Sequence, residues 1–430
     1  MNIAVLGMWH LGTVTAGCLA DKGYNVIGYD KNTDTVAMLL NGNMPVNEPG
    51  LSELIAMGVG QGLLSFTSDP AKISGCDTIW VAYDTPVDEH DQADVDFVVS
   101  SVEALFPYLK KDSLIIICSQ LPVSTTSQLE MRLQEKRPGI SASFAYLPEN
   151  LRLGKAIEVF NHPDRVVAGV RREKDKKRIA ALLQPFSDNI IWMSVESAET
   201  TKHAINSFLA TSVAFINELS GICEHYGANV SEVEKGLKSD HRIGQQAYLR
   251  PGEAFAGGTL ARDLKYLIRL GQDKKLPTPL FSGVIESNDL HKKWARRKLK
   301  EVLKTFKGKR VAILGLTYKP GTNTLRRSEA VETARWLAER GAEVVAYDPA
   351  VKSLPGTLEN VIHLCRGPDE ALKGAHAVLI GTPWPEFKKL EAEEAMSLME
   401  MPVVIDPGGF LFEIFENQHG IVYVTIGRSR

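Results

Sequence analysis

Val5-Leu6-Gly7-Met8-Trp9-His10-Leu11-Gly12 ends an apolar run that starts at Asn2 and opens a helical stretch, after which Val26-Ile27-Gly28-Tyr29 delivers Asp30. Strand, glycine turn, helix, strand and acidic residue in that order form a βαβ unit of the dinucleotide-binding kind. Gly7 stands where the first glycine allows the tight turn, and Gly12 where the third lets helix and strand pack closely. Trp9 occupies the middle glycine's place, next to His10 and Leu11, so either its indole swings outward or the phosphates ride slightly further from the backbone. Asp30 lies at the spacing of a carboxylate that binds a ribose 2′-hydroxyl and repels a 2′-phosphate, which favours NAD over NADP. By themselves, Gly7 and Gly12 also read as residues that simply shape a βα turn.

The pattern returns near the other end, where Val311-Ala312-Ile313-Leu314-Gly315-Leu316 precedes a helical stretch and Val344-Val345-Ala346-Tyr347-Asp348 closes it. Two nucleotide-sized units therefore bracket the chain. Between them, through about residue 190, strand-like runs alternate with helices: Thr78 to Ala82, Ser113 to Cys118, Arg165 to Gly169 and Ile190 to Trp192. From Ser197 the period becomes helical, with Ala204, Phe208, Thr211, Phe215 and Leu219 on one stripe and a repeat over Leu264 to Leu270. That stripe reads as a dimer seam or as an ordinary buried helix. The polar stretch His291 to Lys298 reads as a solvated helix face. The expected fold class is α/β, with two doubly wound (Rossmann-like) parallel-sheet domains over 1–196 and 299–430, joined by a helical middle domain over 197–298.

Composition narrows the function. Of 430 residues, 49 are Lys or Arg and 52 Asp or Glu, a net charge of −3 with no long basic stripe, which argues against nucleic acid as a partner. Charges interrupt every apolar run before the roughly 18 residues a membrane span requires. No membrane partner and a cytoplasmic location are expected. Five cysteines stand apart without a CxxC pair or a His-rich neighbourhood, so buried reduced thiols and no metal site are the expectation.

From Tyr146-Leu147-Pro148-Glu149-Asn150-Leu151-Arg152-Leu153-Gly154 onward, ordered motifs accumulate. They include Pro163-Asp164-Arg165, Glu199-Thr200-Thr201-Lys202 with Asn206, Asn217-Glu218, Asp240-His241-Arg242-Ile243-Gly244, Gly257-Gly258-Thr259-Leu260-Ala261-Arg262-Asp263 and Gly315-Leu316-Thr317-Tyr318-Lys319-Pro320 with Arg326 and Ser328. Asn47-Glu48-Pro49-Gly50, Thr85-Pro86 and Ala93-Asp94 join them upstream. In this order the chain resembles the UDP-glucose/GDP-mannose dehydrogenase family over its whole length. The resemblance implies a homodimer formed through the helical middle, NAD as cofactor and a nucleotide-linked sugar, a UDP-hexose such as UDP-glucose first, as substrate. It implies that Lys202 and Asp263 position a water and take the alcohol proton, that Asn206 stabilises an oxyanion, and that Glu149 assists a later hydrolysis. Thr85 and Gln120 would flank the cofactor. Glu149, Leu151, Arg152, Lys202, Asn206, Arg242, Phe255, Gly257, Lys319 and Arg326 would meet the substrate. Read without the resemblance, Lys202 and Asn206 are an exposed helix stripe, and Lys319 and Arg326 are surface charges.

The family completes a four-electron oxidation through a cysteine thiolate, and this chain has Thr259 at that place. A thiol near pKa 8.5 supplies some thiolate at neutral pH, whereas an aliphatic hydroxyl needs a dedicated base, which Arg262 cannot be. Gln120 replaces a threonine, Asn323 and Thr324 replace two aspartates, and Arg327 replaces a glutamate. Three outcomes are open at this point: oxidation that stops after two electrons, a four-electron route through the aldehyde hydrate, or a non-catalytic nucleotide-binding paralogue.

Overall fold

The computed structural model describes residues 1–86, 93–149 and 151–428. Its contacts divide into two compact units, Met1–Ile205 and Asn206–Arg430. In the first unit the strands are β1 (Asn2–Leu6), β2 (Asn25–Tyr29), β3 (Leu64–Thr67), β4 (Thr78–Val81), β5 (Leu114–Ile117), β6 (Ser143–Tyr146), β7 (Val166–Val170) and β8 (Ile190–Met193). They form one sheet in the order β3-β2-β1-β4-β5-β6-β7-β8, parallel throughout except for the antiparallel pair β6 and β7. The alternation of β1 explains the layering. Ile3 and Val5 enter one core with Leu11, Val14 and Trp80, and Ala4 and Leu6 enter the other with Ile79, Val98 and Leu129. Because β1 lies between β2 and β4, the strand order reverses beside Gly7, where an open α/β sheet binds its ligand.

The second unit carries β9 (Arg310–Leu314), β10 (Glu343–Tyr347), β11 (His363–Leu364), β12 (Ala377–Ile380), β13 (Val403–Ile405) and β14 (Val422–Val424) in the order β11-β10-β9-β12-β13-β14, all parallel. Helices fill the start of this unit: the end of the long helix Val195–Tyr226, then Val230–Ser239, Arg262–Asp273, Pro279–His291 and Trp294–Leu303. Here two expectations change. The helix of the second βαβ unit does not follow Gly315 but begins only at Glu329, because Pro320 and Gly321 hold the intervening chain out of helix. The stretch His291 to Lys298 is not a plain solvated face: Trp294 and Lys298 are buried against Glu224, which accepts from the indole N–H at 2.8 Å and pairs with the ammonium at 2.9 Å. Among the described residues, no helix is long and apolar enough to cross a membrane. All five cysteines are free and buried.

Candidate functional site

The turn after β1 shows why glycine is required there. Gly7 has φ +90°, and a Cβ on Gly12 would lie 1.7 Å from the Gly7 carbonyl oxygen. The helix His10–Asp21 that follows has neither a side-chain cap nor an acidic residue in its first turn, which leaves its first N–H groups open to an anion. Trp9 is 52% exposed, so the indole does swing outward. At the end of β2, Asp30 accepts from the Met8 N–H at 2.8 Å and the Asn32 N–H at 2.9 Å. Two backbone donors fix this carboxylate and leave lone pairs for a ribose diol. An uncapped helix terminus and an oriented acid on adjacent strands fit NAD.

His10 contributes differently from its place in the motif. Its ring meets Glu48 at 3.0 Å, so only its backbone N–H faces an anion at the helix terminus. Glu48 also accepts from Gly154 and Ala156 N–H, each at 2.8 Å, and so ties the turn after β1 to the segment that carries Leu151 and Arg152. Burial opposes ionisation of Glu48, but these backbone donors and His10 outweigh it and hold the carboxyl below the usual carboxylate range. Thr85 and Gln120 come together beyond β4 and β5, with the threonine hydroxyl donating to the Gln120 carbonyl at 2.7 Å.

Lys202 is buried on the long helix, its ammonium 2.5 Å from the Glu149 carbonyl and 3.4 Å from the Glu149 carboxylate. Two neighbours on the helix explain how it is aimed. Glu199 accepts from Ser124 N–H, Thr126 N–H and the Thr126 hydroxyl, and the His203 ring contacts the Leu121 carbonyl at 2.9 Å. The exposed-stripe reading of Lys202 is thereby excluded. Glu149 also accepts from Leu151 N–H at 2.8 Å, Leu151 is partly buried and Arg152 is exposed. Asn150, part of the same motif, lies outside the described residues.

In the second unit, Asn206 is buried and its amide donates to the fully buried carboxylate of Asp263. Thr259 is exposed on the single π turn Gly257–Ala261, which runs straight into the helix bearing Asp263. The segment leading to it is pinned from two helices. Asn288 donates to the Phe255 carbonyl and accepts its N–H, Asn217 accepts from Gly252 N–H, and the His291 ring contacts the Gly252 carbonyl at 2.8 Å. Asn288 and His291 carried no motif; their role depends on contacts more than thirty residues away in sequence. Arg327, at φ +64°, sets a guanidinium nitrogen 3.1 Å from where a Cβ on Gly258 would stand, so a second arginine borders the Thr259 turn besides Arg262.

The remaining candidates spread out. Arg242 is exposed and pairs with Asp240 at 2.7 Å. Arg326 lines an open cavity of about 630 Å³ with Asn323, Leu325, Val351, Lys352 and Leu354. Lys319 is half-buried, and its carbonyl accepts the Thr322 hydroxyl at 2.9 Å. Asp348, the counterpart of Asp30, is consumed internally: it accepts from Leu316 N–H, Thr317 N–H, the Thr317 hydroxyl and the Trp384 indole. With no helix start at Gly315 and no open acid after β10, the second unit is not a repeat of the NAD turn.

Comparison with known proteins agrees with this division. Residues 1–187 match the NAD binding domain of the UDP-glucose/GDP-mannose dehydrogenase family, 196–290 its central domain and 312–412 its UDP binding domain. The chain is 35% identical to UDP-glucose 6-dehydrogenase TuaD of Bacillus subtilis (strain 168), over 99% of this chain and 93% of that protein. It is 32% identical to UDP-glucose 6-dehydrogenase of Rhizobium meliloti (strain 1021), over the full length of both. Among solved structures it resembles a UDP-glucose dehydrogenase of Pyrobaculum islandicum with a TM-score of 0.88 at 29% identity, covering 100% of this chain and 98% of that one. A UDP-D-ManNAc dehydrogenase of Pyrococcus horikoshii follows with a TM-score of 0.86 at 26% identity, covering 100% and 99%. The uncapped turn at Gly7, the Asp30 carboxylate and three consecutive domain matches lead to one conclusion: the chain belongs to the UDP-glucose/GDP-mannose dehydrogenase family of NAD-dependent nucleotide-sugar dehydrogenases.

Proposed function

We propose that this enzyme oxidises the primary alcohol of a UDP-linked hexose, with UDP-glucose as the first candidate, and stops at the aldehyde after one hydride transfer. The observation that carries the reading is the contrast between a buried, anchored Lys202 and an exposed Thr259 that has no thiol. The relatives named UDP-glucose 6-dehydrogenases support the choice of sugar. Thr85 and Gln120, the N-terminus of the helix at His10 and Asp30 would hold NAD, which accepts the hydride when bound.

In this reading Lys202 and Asp263 position a water through which the alcohol proton leaves, with the Asp263 carboxylate as its acceptor, and Asn206 serves both that carboxylate and the developing alkoxide. Glu149 holds Lys202 through its carbonyl and keeps its own carboxylate beside the ammonium. Covalent capture of the aldehyde would require a nucleophile at Thr259, whose hydroxyl stays protonated without a base, and the flanking Arg262 and Arg327 are permanent cations. The aldehyde is therefore the product released. The test is a panel of UDP- and GDP-sugars assayed for NADH with product analysis. A UDP-hexose as best substrate and a sugar aldehyde as product support the reading; a GDP-sugar as best substrate, or no turnover with any sugar, overturns it.

We also propose that the enzyme is a homodimer seamed along the helix Val195–Tyr226. Phe208, Phe215 and Ile222 follow at seven-residue spacing and are 70%, 50% and 56% exposed in the single chain. Such an apolar stripe needs a cover, and a second copy of the same helix supplies a matching one. Phe215→Asp is expected to shift the chain from dimer to monomer in sedimentation. A wild-type monomer at micromolar concentration contradicts the proposal.

A further inference from the structure

The short strand β11 lies at the edge of the second sheet and pairs with β10, through Val345 opposite His363 and Ala346 opposite Leu364. Cys365 continues it, donating its N–H to the Ala346 carbonyl at 2.7 Å and burying its side chain in the apolar core that also holds Ala312, Leu314, Ala371 and Leu372. The chain then turns into the helix Pro368–Leu372, and Glu370 in that helix accepts the Arg366 N–H at 2.7 Å. This turn places a ring nitrogen of His363, the Cys365 sulfur and a carboxylate oxygen of Glu370 within 4.8 Å of one another. None of the three belongs to the site described above.

We propose that His363, Cys365 and Glu370 form a binding site for one divalent transition-metal ion, with Zn²⁺ as the matching metal. The donor set decides the ion. Thiolate, imidazole and carboxylate together suit a borderline-soft tetrahedral cation, whereas Mg²⁺ and Ca²⁺ take oxygen ligands. Bond lengths of about 2.0–2.3 Å put tetrahedral ligands roughly 3.3–3.8 Å apart, so the trio must close by about 1 Å. The exposed side chains of His363 and Glu370 can move that far by rotation, and the buried Cys365 provides the fixed point. On binding, a metal–sulfur bond forms, the thiol proton passes to solvent, and no oxidation state changes. Three ligands leave a fourth position for water. Because all three lie within eight residues, the ion would clip β11 to the helix Pro368–Leu372 and fasten the edge of the sheet.

The probe is Co²⁺, titrated into the full-length chain after chelator treatment and then displaced by Zn²⁺. The expected result is one Co²⁺ per chain with a cobalt–thiolate charge-transfer band that Zn²⁺ abolishes. Cys365→Ser should remove the band, and His363→Ala and Glu370→Ala should each weaken binding at least about 10-fold. The last two change exposed side chains, so they report on ligation even if Cys365→Ser fails to fold. A wild-type chain that shows no thiolate band with excess cobalt overturns the proposal. So does a band that persists in Cys365→Ser, or unchanged affinity in both exposed-ligand variants.

Discussion

Lys202→Met is expected to lower kcat by about 10²–10⁴-fold while the chain stays folded and its affinity for NAD is unchanged. Methionine approximates the length of the lysine stem and fills the same buried space, so the variant removes charge and donors with little loss of packing. It deletes the ammonium that bonds to the Glu149 carbonyl and carboxylate, a buried cation beside that segment's acid. An effect on kcat with little change in the KM for nucleotide sugar would show that the ammonium acts as the proton moves. A variant within threefold of wild type would return Lys202 to a structural role, as an anchor for the Glu149 segment. Steady-state NADH production, read beside a thermal melt, separates the two.

Thr259→Cys is expected to add a second oxidation. Its thiol would stand on the exposed π turn, where a few per cent of thiolate at neutral pH can capture the aldehyde as a thiohemiacetal. That adduct can give up a second hydride, and the resulting thioester is hydrolysed by water, so the NADH yield per sugar should rise from one towards two. The native background is favourable, because all five natural thiols are buried. Alkylation of the folded variant should therefore label about one site per chain, against almost none in wild type, and modification should return the yield to one. If Thr259→Cys is alkylated yet still yields one NADH per sugar, the missing thiol is not what limits the oxidation.

The sequence exposed the parts of the fold that depend on local pattern. The apolar run ending at Gly7, the helix after it and Asp30 at the end of β2 all stand where periodicity and turn chemistry place them. Strands β3 and β6 were not legible, because Leu64–Thr67 and Ser143–Tyr146 interleave serine, threonine or alanine with their apolar residues, whereas the equally short β5 is a continuous apolar run. The second βαβ pattern misled for a different reason. Gly315 and Asp348 copy the first unit residue by residue, yet Pro320 and Gly321 postpone the helix and the Asp348 carboxylate turns inward to Thr317 and Trp384.

Within the site, residue types were legible and their engagements were not. Motif order singled out Lys202, Asn206, Asp263 and Glu149, but no spacing rule announces that Glu199 grips the Thr126 turn, that Glu48 takes the His10 ring, or that Asn288 holds Phe255. Each of these bonds joins residues thirty or more apart, and buried polar groups find such partners only when the chain is packed. The same holds for Glu224, whose pairing with Lys298 buries a residue that belongs to a strongly basic stretch. His363, Cys365 and Glu370 escaped notice because their spacing matches no common metal motif and only the turn after β11 gathers them.

The central claim is that Thr259 limits this enzyme to one hydride. The most direct measurement is the number of NADH formed per UDP-hexose consumed, run to completion with and without an aldehyde trap. The account predicts one NADH per sugar, with the trap pulling the reaction forward by removing the aldehyde. Two NADH per sugar without a trap would contradict it, and would mean that the aldehyde hydrate, or a nucleophile other than residue 259, carries the second oxidation.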